Sequence, residues 1–256
     1  MRTAFKCKTT WLLATLAWAW SIPLQANLIS NGGFESGFSG WTRVDQVGGD
    51  GTFLLQTGTL SPVNSFPVPA PPEGLQAAMT DSLGPGSHVL YQDFVVPADV
   101  AVATIGYSLF INNGNGSPDF FTPAHLDFAT PALNQQARAD IITTLADPFS
   151  VAALDVLQNL FQTNPGDPLV SGYNALQFDI TALLQAHPGE TLRLRFAEVD
   201  NVAPFNMGVD GIDLNVTPIP EPSSWILTIS ALLGLGLLRR SRDWLSLVIN
   251  YFPAQK

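Results

Sequence analysis

Cysteine is almost missing from this chain, and lysine is confined to its two ends. Cys7 is the single cysteine, and no lysine stands between Lys8 and Lys256. The long stretch between them has no disulfide, no thiolate and no amine for Schiff-base chemistry, so its stability must come from a packed core, aided at most by a metal ion. Histidine is scarce as well. His88, His125 and His187 lie far apart in sequence with none at metal-ligand spacing to another, and His88 and His187 fall in Gly/Pro-rich turns where exposed side chains are expected. There is no Gly-x-Ser-x-Gly elbow, and neither 48–51 nor 84–86 is followed by the Lys and helix of a phosphate loop. Positive charge is the scarcest commodity: residues 27–216 carry four arginines (Arg43, Arg138, Arg193, Arg195) against nineteen carboxylates, a net charge of −15. Such a surface repels nucleic acid, and it repels anionic lipid or polysaccharide unless divalent cations intervene. With nineteen acids many nominal carboxylate pairs exist, so no pair is singled out for glycoside hydrolysis.

What the chain does contain is most distinctive at its ends. Arg2, Lys6 and Lys8 precede an apolar run over 11–20, and Leu24-Gln25-Ala26 supplies a cleavage site, so residues 1–26 read as a signal peptide and the protein as exported. At the other end Pro220-Glu221-Pro222 is followed by an apolar segment over 225–238 and by Arg239-Arg240. At about 1.5 Å per residue that segment spans about 21 Å, short of the roughly 30 Å hydrocarbon core, which suits a transient anchor better than a permanent one. A second apolar patch, 244–252, lies in the extension that follows.

The order of these three C-terminal elements resembles the PEP-CTERM sorting tail of Gram-negative bacteria that make exopolysaccharide. That resemblance implies that an exosortase in the inner membrane handles the tail, through Pro220, Glu221, Pro222, Arg239 and Arg240, and that the protein is destined for the cell surface or extracellular matrix. The domain organisation expected is a signal peptide (1–26), a folded domain (27–216), a PEP motif and linker (217–224), a transmembrane sorting segment (225–238), and a basic stop with C-terminal extension (239–256).

Between the ends, Gly and Pro punctuate short runs of β-formers, the pattern of an all-β sandwich. Residues 191–196 alternate cleanly, with Leu192, Leu194 and Phe196 on one side and Arg193 and Arg195 on the other, which predicts a strand with a core on one face only. Residues 89–96 and 102–111 read as a strand pair joined across 97–99, 138–144 as a strand, and 178–181 as a strand leading into a helical turn at 182–185. Residues 59–73 hold five prolines and read as a surface loop. Ser150 precedes Val151, Leu154, Leu157, Leu160 and Phe161 at helical spacing, so 150–162 is expected to be a helix laid on the sandwich.

The opening Asn31-Gly32-Gly33-Phe34-Glu35 with Gly40-Trp41, and the closing 189–196 and 209–214, resemble the ends of galactose-binding-like and carbohydrate-binding-module jelly rolls. The expected fold class is therefore all-β, a jelly-roll β-sandwich with one inserted helix, plus an N-terminal signal helix and a C-terminal transmembrane helix. The resemblance implies a structural Ca²⁺ held by Glu35 and Asp210, with Asp213 as the alternative C-terminal ligand. It also implies polysaccharide binding through exposed aromatics, for which Phe120, Phe121 and Trp41 are the candidates. The leading expectation is a non-enzymatic exported protein that binds exopolysaccharide. A hydrolase or lyase acting on that polymer and a purely structural or adhesive protein are the alternatives.

Overall fold

The computed structural model describes residues 25–219, together with the isolated positions Ser230 and Leu232. The expected signal peptide, except its last two residues, and the expected sorting tail from Pro220 on, except Ser230 and Leu232, lie outside the described residues. Leu24–Ile219 forms one compact unit. Its strands are β1 (Ala26–Asn27), β2 (Thr42–Asp45), β3 (Thr52–Gln56), β4 (Ala77–Asp81), β5 (Gly86–Val95), β6 (Val100–Asn112), β7 (Gln135–Thr143), β8 (Val156–Gln162), β9 (Asn174–Asp179), β10 (Thr191–Asp200) and β11 (Asn206–Pro218). One helix among the described residues, α1 (Thr181–Ala186), falls where the short helical turn is expected.

Two antiparallel sheets face each other. The first runs β3-β4-β11-β6-β9 with β1 also on β11, and the second runs β2-β5-β10-β7-β8. Their inner faces meet in one core that includes Phe34, Phe53, Leu90, Ile105, Tyr107 and Phe196. Burying a large apolar side chain contributes roughly 1.5–3 kcal/mol, so this layer holds the unit together without covalent staples. β1 lies against the end of β11, Ala26 opposite Val216 and Asn27 opposite Asn215.

β10 shows why the alternating strand reads correctly and where the reading falls short. Leu192, Leu194 and Phe196 enter the core, but the opposite face is covered too. Arg195 is fully buried, donating to the carbonyls of Pro148 (2.7 Å) and Ser150 (2.6 Å) and to the Asp140 carboxylate. Arg138 grips the same Asp140 with two bonds of 2.7 and 2.8 Å, and Asn159 donates to it at 2.8 Å. Burial alone would raise the Asp140 carboxyl, yet the hydrogen bonds and charges of Arg138 and Arg195 hold it below the ordinary value. A second apolar cluster of Val89, Leu126, Ala197 and Val199 lies on this outer face.

Two expectations are overturned. Residues 150–162 are not a helix: the segment makes a turn and then strand β8 on the edge of the second sheet. Two register shifts, opposite Ala139/Asp140 and Ile141/Ile142, skip Leu160 and Leu157. Each bulge inserts a residue, breaks the two-residue alternation and leaves apolar side chains at helix-like spacing. Likewise β5 and β6 are strands but not a pair. β5 belongs to the second sheet and β6 to the first, and the connection crosses between them with Val96 and Val100 buried on the way.

Candidate functional site

The first candidate locus grows from a bulge in β11. Asp210 stands opposite Ser108 and Asp213 opposite Gly106, so β11 has one residue too many. Gly211 takes it up with a φ of 57°, a left-handed conformation that glycine adopts without strain. Val209 before the bulge and Ile212 and Leu214 after it all reach the core, which leaves Asp210 and Asp213 on the outer side. The loop after β1 lies flush on this bulge, because a Cβ on Gly32 would stand 1.9 Å from the Ile212 carbonyl oxygen.

That close approach gathers acids. Asp210 is fully buried and accepts the backbone N–H of Glu73 (2.9 Å) and of Gly211 (2.8 Å). Glu35 accepts the N–H groups of Leu75 (2.7 Å) and Gln76 (2.9 Å). The Glu73 carboxylate packs beside Gly33 and Gly211. Burial, seconded by the charges of Glu73 and Glu35 and opposed by the two backbone bonds, pushes Asp210 up to about 6. The structure thus brings Glu35 and Asp210 into one neighbourhood and adds Glu73, which has no motif to mark it at the end of the proline-rich loop, but the carboxylates of the three do not all come within 4.8 Å of one another. Asp213 is elsewhere: it accepts from the Asn215 amide and packs against Gly106.

The aromatic candidates separate. Trp41 is core, its ring tilted against Phe34 (centroids 5.4 Å apart) and Phe196 (6.2 Å), with its indole N–H donating to the Asn31 carbonyl at 3.1 Å. Phe120 is buried against Phe205 at 5.9 Å between ring centroids. Neither is an exposed platform, because in both cases apolar area is better buried than displayed. Phe121 keeps part of its surface and bridges to Gln135. His88, expected in an exposed turn, is instead a buried residue of β5. His187 is in its expected turn, bonded to Glu190 at 2.9 Å.

A cleft of about 290 Å³ opens where the two edge strands β8 and β9 approach each other. Its floor is Leu109, Ile111, Phe120, Phe161 and Leu176, and its polar lining is Thr163, Asp167, Ser171 and Asn174. Three of the polar groups are positioned by the backbone. Thr163 Oγ1 accepts the Ala137 N–H (3.0 Å), Ser171 Oγ accepts the Ile111 N–H (3.1 Å) and Asp167 accepts the Asn164 N–H (2.7 Å). Asn174 is exposed at the start of β9.

No protein-family model and no curated protein matches the chain. Solved structures similar to it include the carbohydrate-binding module TmCBM61 in complex with β-1,4-galactotriose, at 13% identity over 74% of this chain and 97% of that one, with a TM-score of 0.42. The K3 cleaved adhesin domain of Lys-gingipain from Porphyromonas gingivalis W83 is 12% identical over 75% and 99% of the two chains, with a TM-score of 0.44. A family 16 carbohydrate-binding module is 14% identical over 73% and 99%, with a TM-score of 0.38. The observed architecture is an all-β, two-sheet antiparallel sandwich with one short helix among the described residues.

Proposed function

We propose that the chain is an exported, non-enzymatic protein of the cell surface or extracellular matrix, delivered by its PEP-CTERM tail and binding polysaccharide in the cleft between β8 and β9. The observation that carries this reading is the composition of the cleft: an apolar lining in which Phe161 and Leu176 keep part of their surface, beside hydroxyl, amide and carboxylate groups. A pyranose ring offers a matching pair of surfaces, a C–H face for the floor and hydroxyls for the rim. The net charge of −15 over residues 27–216 favours a neutral polymer over an anionic one. Affinity electrophoresis against neutral and anionic polysaccharides, run beside a reducing-end assay on the same polymers, tests it. Retardation by a neutral polymer without new reducing ends is expected, weakened about tenfold by Asn174→Ala or Phe161→Ala. Turnover would replace this reading with a hydrolase or lyase, and neither binding nor turnover would leave a structural or adhesive role.

A structural Ca²⁺ at Glu35 and Asp210 belongs to the same proposal. The chemistry of the donors suits it, since Glu35, Glu73 and Asp210 offer only oxygen, and the ion would have to draw their carboxylates closer together than they stand. Bound there, the ion would neutralise the locus and tie the opening loop to β11. Calorimetric melting with and without chelator is the check, and an unchanged midpoint removes the ion from the account. Delivery is tested by the C-terminal mass of the protein in culture medium, where an intact Lys256 contradicts tail removal.

A further inference from the structure

The inner face of the second sheet is apolar along β10 as far as Phe196 and then turns polar. Antiparallel register sets Glu198 opposite His88 and Asp200 opposite Gly86, continuing the layer that begins with Phe196 opposite Leu90. His88, Glu198 and Asp200 are all at least 98% buried, and one ligand atom from each lies within 4.8 Å of the others. Among the described residues no other three such groups come so close.

Two of the atoms in this cluster have nothing to bind. His88 Nε2 and Glu198 Oε1 are buried without a hydrogen-bond partner, a condition that costs about 1–3 kcal/mol for each group and more if it is charged. The groups around them are arranged for ligation. Asp45 Oδ1 lies 2.8 Å from His88 Nδ1, so the ring proton belongs on Nδ1 and the Nε2 lone pair points inward, the carboxylate–histidine arrangement seen behind metal-bound imidazoles. Asp200 is fixed by the Gly86 N–H (2.7 Å) and the Ser82 hydroxyl (3.2 Å). Gly86 leaves the room: a Cβ there would stand 2.5 Å from His88 Nε2.

Among the described residues, neither carboxylate is answered by an arginine. Arg138 and Arg195 hold Asp140, Arg193 holds Asp93, and Arg43 donates to the Phe53 carbonyl and lies over Phe38. One imidazole nitrogen with two carboxylates is a donor set for a transition-metal ion, since Ca²⁺ and Mg²⁺ take oxygen. Three protein ligands leave a coordination position open. Asp200 also lines a cavity of about 190 Å³, with Gly84, Pro85 and Asn201.

We propose that His88, Glu198 and Asp200 form a binding site for a divalent transition-metal ion of the zinc class, linking β5 to β10 across the strand pair. The site is separate from the Glu35–Asp210 locus and does not depend on sugar binding. The test uses the full chain, stripped with chelator and then dialysed against Zn²⁺, with bound metal counted by elemental mass spectrometry and Co²⁺ substitution followed by visible absorption. One equivalent of Zn²⁺ per chain is expected, with cobalt bands reporting nitrogen and oxygen ligation. His88→Gln and Glu198→Gln should abolish stoichiometric binding. Asp45→Asn, a change at a partly exposed residue outside the core, should weaken it about 10–100-fold while the protein stays folded. Glu35→Gln and Asp210→Asn should leave zinc binding unchanged. Absence of stoichiometric zinc, or binding that survives the His88, Glu198 and Asp45 changes, or binding lost only with Glu35 or Asp210, would overturn the proposal.

Discussion

The second sheet buries carboxylates on both of its faces and treats them in opposite ways. On the outer face Asp140 meets two arginines and an asparagine. On the inner face Glu198 and Asp200 meet a histidine and, among the described residues, no arginine. The two groups share β10, from which Arg195 points outward and Glu198 inward. A chain with four arginines in residues 27–216 has committed two of them to one aspartate. Charge scarcity therefore does not explain the bare inner group. Its neutrality has to be supplied from outside, by protons or by a bound cation, whereas the outer group carries its own counter-charge.

The most damaging way to break the contrast is to unpair the outer group. Asp140→Asn, which leaves two buried guanidinium groups facing an amide, should cost about 3–5 kcal/mol of unfolding free energy by chemical denaturation. Acid should reproduce part of that loss. Because the folded carboxyl of Asp140 lies below its ordinary value of 3.8, its contribution is complete above that value and disappears as pH falls through the lower folded one. A stability-against-pH curve for the wild type should therefore drop in this range, and the Asp140→Asn curve should be flatter there. The smallest effect belongs to the inner group. In metal-free protein Glu198→Gln replaces a carboxyl that burial already favours as neutral, so stability should change by about 1 kcal/mol or less. If it costs as much as Asp140→Asn, the two faces do not treat their carboxylates in opposite ways.

How much of this could be read from the chain alone depended on whether the relevant period was local. Leu192, Leu194 and Phe196 alternate over six residues, and they are core. The proximity of Glu35 to Asp210 was reachable only through motif resemblance, and Glu73 was not reachable at all, since it arrives there by the path of a proline-rich loop. Leu157, Leu160 and Phe161 misled because two bulges give a strand the spacing of a helix. Phe120 misled because a loop residue can be an anchor, and here it packs on Phe205. His88 and Glu198 are about a hundred residues apart in sequence, and their pairing follows from a strand register that no local pattern encodes.

The length of the β11–β6 ladder has a mechanical meaning. β11 runs antiparallel to β6 from Asn206 opposite Asn112 to Pro218 opposite Val100, and the chain leaves the sandwich at its far end. A tether pulling from Ile219 against a polymer held in the cleft, whose floor includes Leu109 and Ile111 of β6, would draw the two strands past each other lengthwise. The rungs of the ladder would then share the load together rather than open one at a time, so the domain would resist, without a covalent cross-link, the force that the proposed tether and polymer put on it.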